Sequence, residues 1–350
     1  MDPLFGKRLV ILGMARQGTA LARFAVEAGA TVTVTDLRSA KALQGTLEAL
    51  ADLPSDRLRY VLGEHPFSLL DDCDLLALSG GVATDSPLVI EARRRGIPLT
   101  NDSIEFMRRT PAPVIGITGS AGKTTTTALV GQMGHKSDRQ TWIGGNIGRP
   151  LIADLHLMSA ADLVVQELSS FQLELWDQCS PPVAAILNIT PNHLDRHKSM
   201  AQYIEAKGNI LRFQKPGDIA VLSADDPGSL EMSQMVRGRL RLFSARQEVA
   251  DGAFIRNEHI WLSDRAGARA GSHYNRLIAG CSSIAFTVAT PPCPAHLFRS
   301  KSRPRFRSAS SACTNWPTIS GTAGTVPRER CSRAFIPRCG TRRATGQNRS

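Results

Sequence analysis

The chain has 350 residues, with 42 Lys and Arg against 31 Asp and Glu, for a net charge of +11. That length accommodates two or three domains with sizeable cores, and no apolar run reaches the roughly eighteen residues of a membrane-spanning helix. The charge is unevenly placed: 13 of the basic residues and a single acid, Glu329, fall in 276–350, a net of +12 that leaves residues 1–275 at −1.

Five of the seven cysteines (Cys281, Cys293, Cys313, Cys331, Cys339) share that basic stretch, and no CxxC pair occurs, so a zinc site is not expected. The opening "MDPLFGKRLVILG" runs directly into a strand pattern without a signal-peptide cleavage site. A cytoplasmic protein is the expectation.

Taken in chain order, "RLVILG" (8–13) reads as a buried strand, "GTALARFAVEAGA" (18–30) as a helix closed by Gly29, and "TVTVTD" (31–36) as a second strand. Between the first strand and the helix lies Gly13-Met14-Ala15-Arg16-Gln17-Gly18, a G-x-G-x-x-G fingerprint with Ala15 at the middle glycine. Asp36 ends the second strand, as the ribose-facing acid of a diphosphate site does. Alone, the fingerprint suggests a dehydrogenase, or a glycine turn needed only for packing helix on strand.

"DLLALSGGV" (74–82) is a further strand ending in small polar residues. "VIGITG" (114–119) is another, and it leads into Gly116-x4-Ala121-Gly122-Lys123-Thr124, the P-loop pattern G-x-x-x-x-G-K-[ST]. Backbone N–H groups of Gly119, Ser120, Ala121 and Gly122 can curl around an anion, and the following helix, through Thr125, presents its positive end to it. Lys123 would neutralise terminal phosphates, and the Thr124 hydroxyl would ligate magnesium. ATP and Mg2+ are the expected cofactors. Hydride transfer needs no ATP, whereas a diphosphate-bearing substrate such as a UDP-sugar suits both the P-loop and the amino-terminal fingerprint.

"GQMGHKSDRQ" (131–140) is broken by glycine and charge, so the helix after the P-loop is expected to be short. "ADLVVQELS" (161–169) ends a strand at Glu167, which either reaches the magnesium or caps the next helix. "VAAILNIT" (183–190) leads into "PNHLDRH", which supplies His193, Asp195 and His197. Lys207, in the helical "YIEAKGNILR", would ordinarily be solvated. The alternation predicts an α/β fold: a Rossmann-like amino-terminal domain (1–110), a P-loop-type central ATPase domain (111–274), and an aberrant, degenerate or disordered carboxy-terminal region (275–350).

After about Tyr274 no period of 2 or 3.6 persists. One reading is a basic tail for nucleic acid or anionic surfaces. A frameshift gives the same composition and accounts better for the scattered Cys, Trp and Phe, so nucleic-acid binding is not expected.

The segments "GITGSAGKTT", "WIGGNIGRPL", "QELSSFQLE", "ILNITPNHLDRH", "YIEAKGNI" and "VLSADDP" occur in that order. Together they resemble the Mur ligases, and "ELSSFQLE" with "GMARQG" is most similar to the member that adds D-glutamate to UDP-N-acetylmuramoyl-L-alanine in peptidoglycan precursor synthesis. The resemblance covers roughly residues 5–265. It implies an ATP-dependent carboxylate–amine ligase working through an acyl phosphate, monomeric and away from the membrane, with those two molecules as substrates.

The resemblance also implies the roles of particular residues. Lys123 would bind ATP, and Thr124, Glu167, His193 and Lys207 would serve the metal, Lys207 as a carbamate that supports magnesium or the γ-phosphate. Asn146 would face the acyl end of the substrate. Gly13, Ala15, Arg16, Gln17, Gly18, Asp36, Leu37, Arg38, Ser79, Gly80, Gly81, Asp102 and Glu105 would form the UDP-binding surface. Ala121 stands where the family usually has Asn, which removes a side-chain anchor from the P-loop but no backbone donor. No third domain that would bind D-glutamate is recognisable, so the alternative is a fragment that binds UDP-precursor or ATP without turnover.

Overall fold

A computed structural model of the chain describes residues 1–264 and 267–273, all of them within one compact unit. The aberrant tail expected at 275–350 lies outside the described residues.

The first sheet begins with β1 (Arg8–Leu12), α1 (Arg16–Glu27), β2 (Thr31–Asp36), α2 (Gln44–Glu48) and β3 (Leu58–Leu62). It continues through β4 (Leu75–Leu78), α3 (Pro87–Arg94) and β5 (Leu99–Thr100), in the parallel order β3-β2-β1-β4-β5. The unbroken apolar run of β1 has its reason in this architecture. Leu9 and Ile11 pack with Leu21, Ala22 and Ala25 of α1, while Val10 and Leu12 pack with Leu88, Val89 and Ala92 of α3. A strand covered by helices on both faces needs apolar residues at successive positions.

The chain then passes through α4 (Asp102–Met107), where the Asn101 side chain accepts the Ile104 N–H at 2.9 Å. The second sheet starts with β6 (Val114–Thr118), α5 (Lys123–His135), β7 (Thr141–Gly145), β8 (Leu163–Glu167), α6 (Ser170–Leu173) and β9 (Val183–Ile186). It goes on through α7 (Leu194–His197), α8 (Met200–Arg212), β10 (Ile219–Ser223), α9 (Pro227–Glu231) and β11 (Arg239–Ser244). It ends with β12 (Gly252–Arg256), β13 (His259–Asp264) and β14 (Gly267–His273). The strand order is β14-β13-β12-β11-β10-β9-β6-β8-β7, parallel from β7 to β12 and antiparallel beyond.

The helix after the P-loop corrects an expectation. It does not stop early at the glycines but runs 13 residues to His135. Added Cβ atoms at Gly131 and Gly134 would collide with Ile143 and Thr141, so these glycines let α5 lie directly on β7.

Topology decides where the two phosphate-type loops fall. In the first sheet β1 is flanked by β2 on one side and β4 on the other; in the second, β6 is flanked by β8 and β9. The chain reverses direction across the sheet at each of these strands. Crevices at such switch points, outside the carboxyl ends of the strands, are where open α/β sheets bind ligands.

Candidate functional site

At the end of β6, Gly119 to Gly122 form a tight loop, and Gly122 adopts φ 81° as the residue before α5. A side chain is strained in that left-handed conformation, which is why a glycine fits here. The first α5-type backbone bond is donated by Thr126 to Gly122 O at 3.0 Å. The N–H groups of Gly122, Lys123, Thr124 and Thr125 therefore remain the open positive end of the helix.

Asn188, just beyond β9, clamps the loop. Its Oδ1 accepts Ala121 N–H at 2.8 Å, and its Nδ2 donates to Ala121 O at 3.1 Å. Ser120 N–H donates to Asn188 O at 3.0 Å. The anchor absent at Ala121 is thus supplied from the neighbouring strand end, and two loop N–H groups are turned toward Asn188. Ser120 Oγ meets Thr190 O and the Tyr203 hydroxyl, each at 2.9 Å.

Lys123 Nζ folds back on Gly119 O (2.9 Å) and Ser120 O (3.2 Å). Thr124 Oγ1 donates to Glu167 Oε2 at 2.9 Å, and Asn146 Nδ2 donates to Glu167 Oε1 at 2.9 Å. Glu167 is only 1% exposed. Lys123, Thr124, Glu167 and Asn146 therefore form one cluster, drawn from β6–α5, β7 and β8. Glu167 does not cap α6; Ser169 does, in a capping box with Gln172.

Lys207 belongs to the same cluster although it is on α8. Its Nζ donates to Gly119 O at 3.0 Å and Thr118 Oγ1 at 3.1 Å, and the residue is 1% exposed. Burial, with the charge of Lys123 second, pushes its amine down to about 7. Its ammonium therefore gives up a proton more readily than that of an exposed lysine. His193 stands in the left-handed region (φ 53°) at the start of α7, its ring edge-on to Phe171 at 5.0 Å. Among the described residues its ring makes no hydrogen bond to Glu167 or Thr124, and no cluster of three His, Cys, Asp or Glu is placed to hold a metal.

Magnesium does not require such a triad, since it binds through one or two carboxylates together with phosphates and waters. The adjacent Glu167 carboxylate and Thr124 hydroxyl are the hard oxygen donors such an ion takes, beside the open helix end.

At the first switch point, Gly13 packs against Ser79 and Val82, and the Gly80 backbone lies against the Gln17 amide. A Cβ at Gly18 would run into Gly13 O, so this glycine sets how closely α1 meets its own loop. Ser79 Oγ is buried without a hydrogen-bond partner, an orphaned donor at the crevice. Asp36 accepts Met14 N–H at 2.7 Å and Arg38 N–H at 2.9 Å, and it takes two guanidinium bonds from Arg38 at 2.9 and 2.7 Å. The Arg38 guanidinium is the main reason its carboxyl lies well below the usual range. Leu37 is exposed beside it, and Arg16 reaches out to Gly148 O at 2.7 Å, bringing this loop to the one carrying Asn146.

Asp102 and Glu105 are inside the protein. Glu105 is 2% exposed and takes bonds from Thr100, Arg108 and Arg109. Asp102 is 4% exposed, and its Oδ1 has no partner. Burial pushes its carboxyl up to about 6. With the folded value above the ordinary 3.8, the folded state holds more protons than the unfolded state between about pH 4 and 6. The stability contribution is therefore full below pH 4 and lost as pH rises through 6. Asp102→Asn should raise stability at pH 7 by about 1–3 kcal/mol, with the gain vanishing near pH 4. Urea unfolding of both proteins at the two pH values checks this; an equal gain at both would contradict it.

The two sheets, each with a glycine loop at its switch point, define a P-loop α/β protein with a second nucleotide-type fold before it. Residues 117–264 match the Mur ligase middle domain, and residues 7–101 match the Mur ligase MurD-like N-terminal domain. The UDP-N-acetylmuramoylalanine–D-glutamate ligase of Koribacter versatilis is 38% identical over 296 residues, covering 81% of this chain and 65% of that protein. The ligase of the same description from Symbiobacterium thermophilum is 41% identical over 266 residues, 75% of this chain and 57% of that protein. Among solved structures, UDP-N-acetylmuramate:L-alanyl-gamma-D-glutamyl-meso-diaminopimelate ligase from Neisseria meningitides is similar with a TM-score of 0.49 and 18% identity, over 79% of this chain and 91% of that one. The chain belongs to the Mur ligase family, in its MurD-like branch. It spans less than two thirds of the length of those two curated relatives.

The sequence reading missed Asn188 and Tyr203. Asn188 was legible in principle, as a polar residue directly after a buried strand. Nothing local marks Tyr203.

Proposed function

We propose that the described residues form the UDP-precursor and ATP halves of a ligase that adds D-glutamate to UDP-N-acetylmuramoyl-L-alanine for peptidoglycan. The observation that carries this reading is the cluster of Lys123, Thr124, Glu167, Asn146 and Lys207 around one P-loop, in a chain of the MurD-like branch. In this reading residues 1–110 bind the UDP-linked substrate and residues 111–274 bind ATP with Mg2+. The protein acts in the cytoplasm as a monomer.

The terminal carboxylate of the substrate attacks the γ-phosphorus of ATP, the bond to the β-phosphate oxygen breaks, and an acyl phosphate and ADP result. The amine of D-glutamate then attacks the acyl carbon, inorganic phosphate leaves, and the amine gives up a proton. Lys123 and the open N–H groups of α5 stabilise charge on the transferring group. Magnesium, when held by Thr124 and Glu167, shields the phosphate charges. Asn146, fixed through Glu167, orients the acyl end beside the P-loop.

A second reading is a chain that binds UDP-precursor or ATP without ligation. Incubation with UDP-N-acetylmuramoyl-L-alanine, Mg–ATP and D-glutamate separates the two. The first reading gives phosphate release matched by a product one glutamyl residue heavier. Binding of both nucleotides without that product supports the second, and binding of neither overturns both.

A further inference from the structure

We infer that Arg196 is a positioning residue that couples the proposed UDP-binding loop to the proposed ATP site. The inference rests on the function proposed above. Arg196 is at the third position of α7, in the second sheet's half of the molecule, yet its guanidinium donates to Val82 O in the loop after β4. That loop carries Ser79, Gly80 and Gly81 and packs on Gly13. The guanidinium also lies over the Phe171 ring at 4.8 Å, 3.8 Å from Glu174 Oε2, and its side chain is only 15% exposed. The Glu174 carboxylate also holds the same loop, accepting the Thr84 hydroxyl at 2.5 Å.

From Arg196 the contacts continue to the P-loop. Its own N–H donates to His193 O at 3.1 Å, and the His193 ring meets Phe171. Phe171 stacks on His197 at 5.4 Å, and His197 meets Tyr203 at 5.3 Å. The Tyr203 hydroxyl reaches Ser120 of the P-loop at 2.9 Å. His197 is itself pinned by Ser170 Oγ at 2.9 Å.

Close packing alone does not fix this register. A cavity of about 560 Å³ opens beside the junction, lined by Thr84 and Asp85 from one side and by Trp176, Arg196 and Asn209 from the other. With space there, the directional bonds from Arg196 and Glu174 determine where the Ser79–Val82 loop sits. A planar guanidinium that donates to a carbonyl while stacked on a ring is suited to that, and a flexible ammonium is less so. The exposed Lys198–Asp85 pair nearby is solvent-screened and contributes little.

Coupling between sites is a ratio of affinities and must be reciprocal. The test is calorimetric titration of the full 350-residue chain with UDP-N-acetylmuramoyl-L-alanine, alone and with a saturating magnesium complex of a non-hydrolysable ATP analogue, and the reverse. The natural chain should bind each ligand about 5-fold or more tightly with the other present, the lower end of usual coupling. Arg196→Met should bring that ratio near one while each ligand alone binds within about 3-fold of the natural affinity. Arg196→Lys should restore part of the ratio, and Lys198→Ala should leave it unchanged. An Arg196→Met protein with the full ratio overturns the inference, as does a natural chain that binds both ligands without coupling; either leaves the proposed function standing. A natural chain that binds neither ligand overturns the proposed function, and the inference with it.

Discussion

Lys123→Ala should weaken ATP binding by about 100-fold while leaving UDP-precursor binding unchanged. The ammonium presently donates to two carbonyls of its own loop, Gly119 O and Ser120 O. Those bonds are replaceable by a phosphate, and charge-assisted bonds to an anion contribute about 1.5–3 kcal/mol each. Losing one or two of them is a loss on the order of 3 kcal/mol, or two decades in affinity. The fold should tolerate the change, because the loop keeps its bonds with Asn188 and through Ser120 when those of Lys123 are lost. Calorimetry with each ligand reads both effects. An ATP affinity within about threefold of the natural one would remove Lys123 from the site.

Gly18→Ala should have the largest effect on the other half. Its Cβ would meet Gly13 O, a backbone atom that cannot move without displacing the loop from Ser79 and Val82. Overpacking of this kind costs about 1–3 kcal/mol, and the displaced loop should lose UDP-precursor binding. Gly45→Ala serves as the comparison, since nothing lies within 4 Å of the added carbon and it is in a helix. That change should be neutral or stabilising by up to about 1 kcal/mol. Urea unfolding and precursor titration of both variants check the pair. Full precursor binding by Gly18→Ala would mean that the glycine serves helix packing alone.

Both sites owe their position to features that the sequence displays in different degrees. The β1–loop–α1–β2 unit was readable because two-sided burial writes β1 as a continuous apolar run, and Asp36 marks its neighbour's end. The P-loop was readable because its glycines, lysine and threonine are adjacent in the chain. Lys207 was not, because its neighbours on α8 look like those of any solvated helical lysine. Only the packing of α8 against Thr118 and Gly119 takes its amine out of water. Gly131 and Gly134 misled for the opposite reason: as local signals they break helices, and only contact with Ile143 and Thr141 shows what they are for. Arg196 acts across the two halves, where spacing along the chain carries no information.

Simultaneous binding tests the account most directly. The full chain, saturated with Mg–ATP analogue, is titrated with UDP-N-acetylmuramoyl-L-alanine, and the bound analogue is monitored throughout. Two sites at two switch points predict one precursor bound per chain with no analogue displaced. Stoichiometric displacement of the analogue by the precursor, or no heat from the precursor at all, would contradict it.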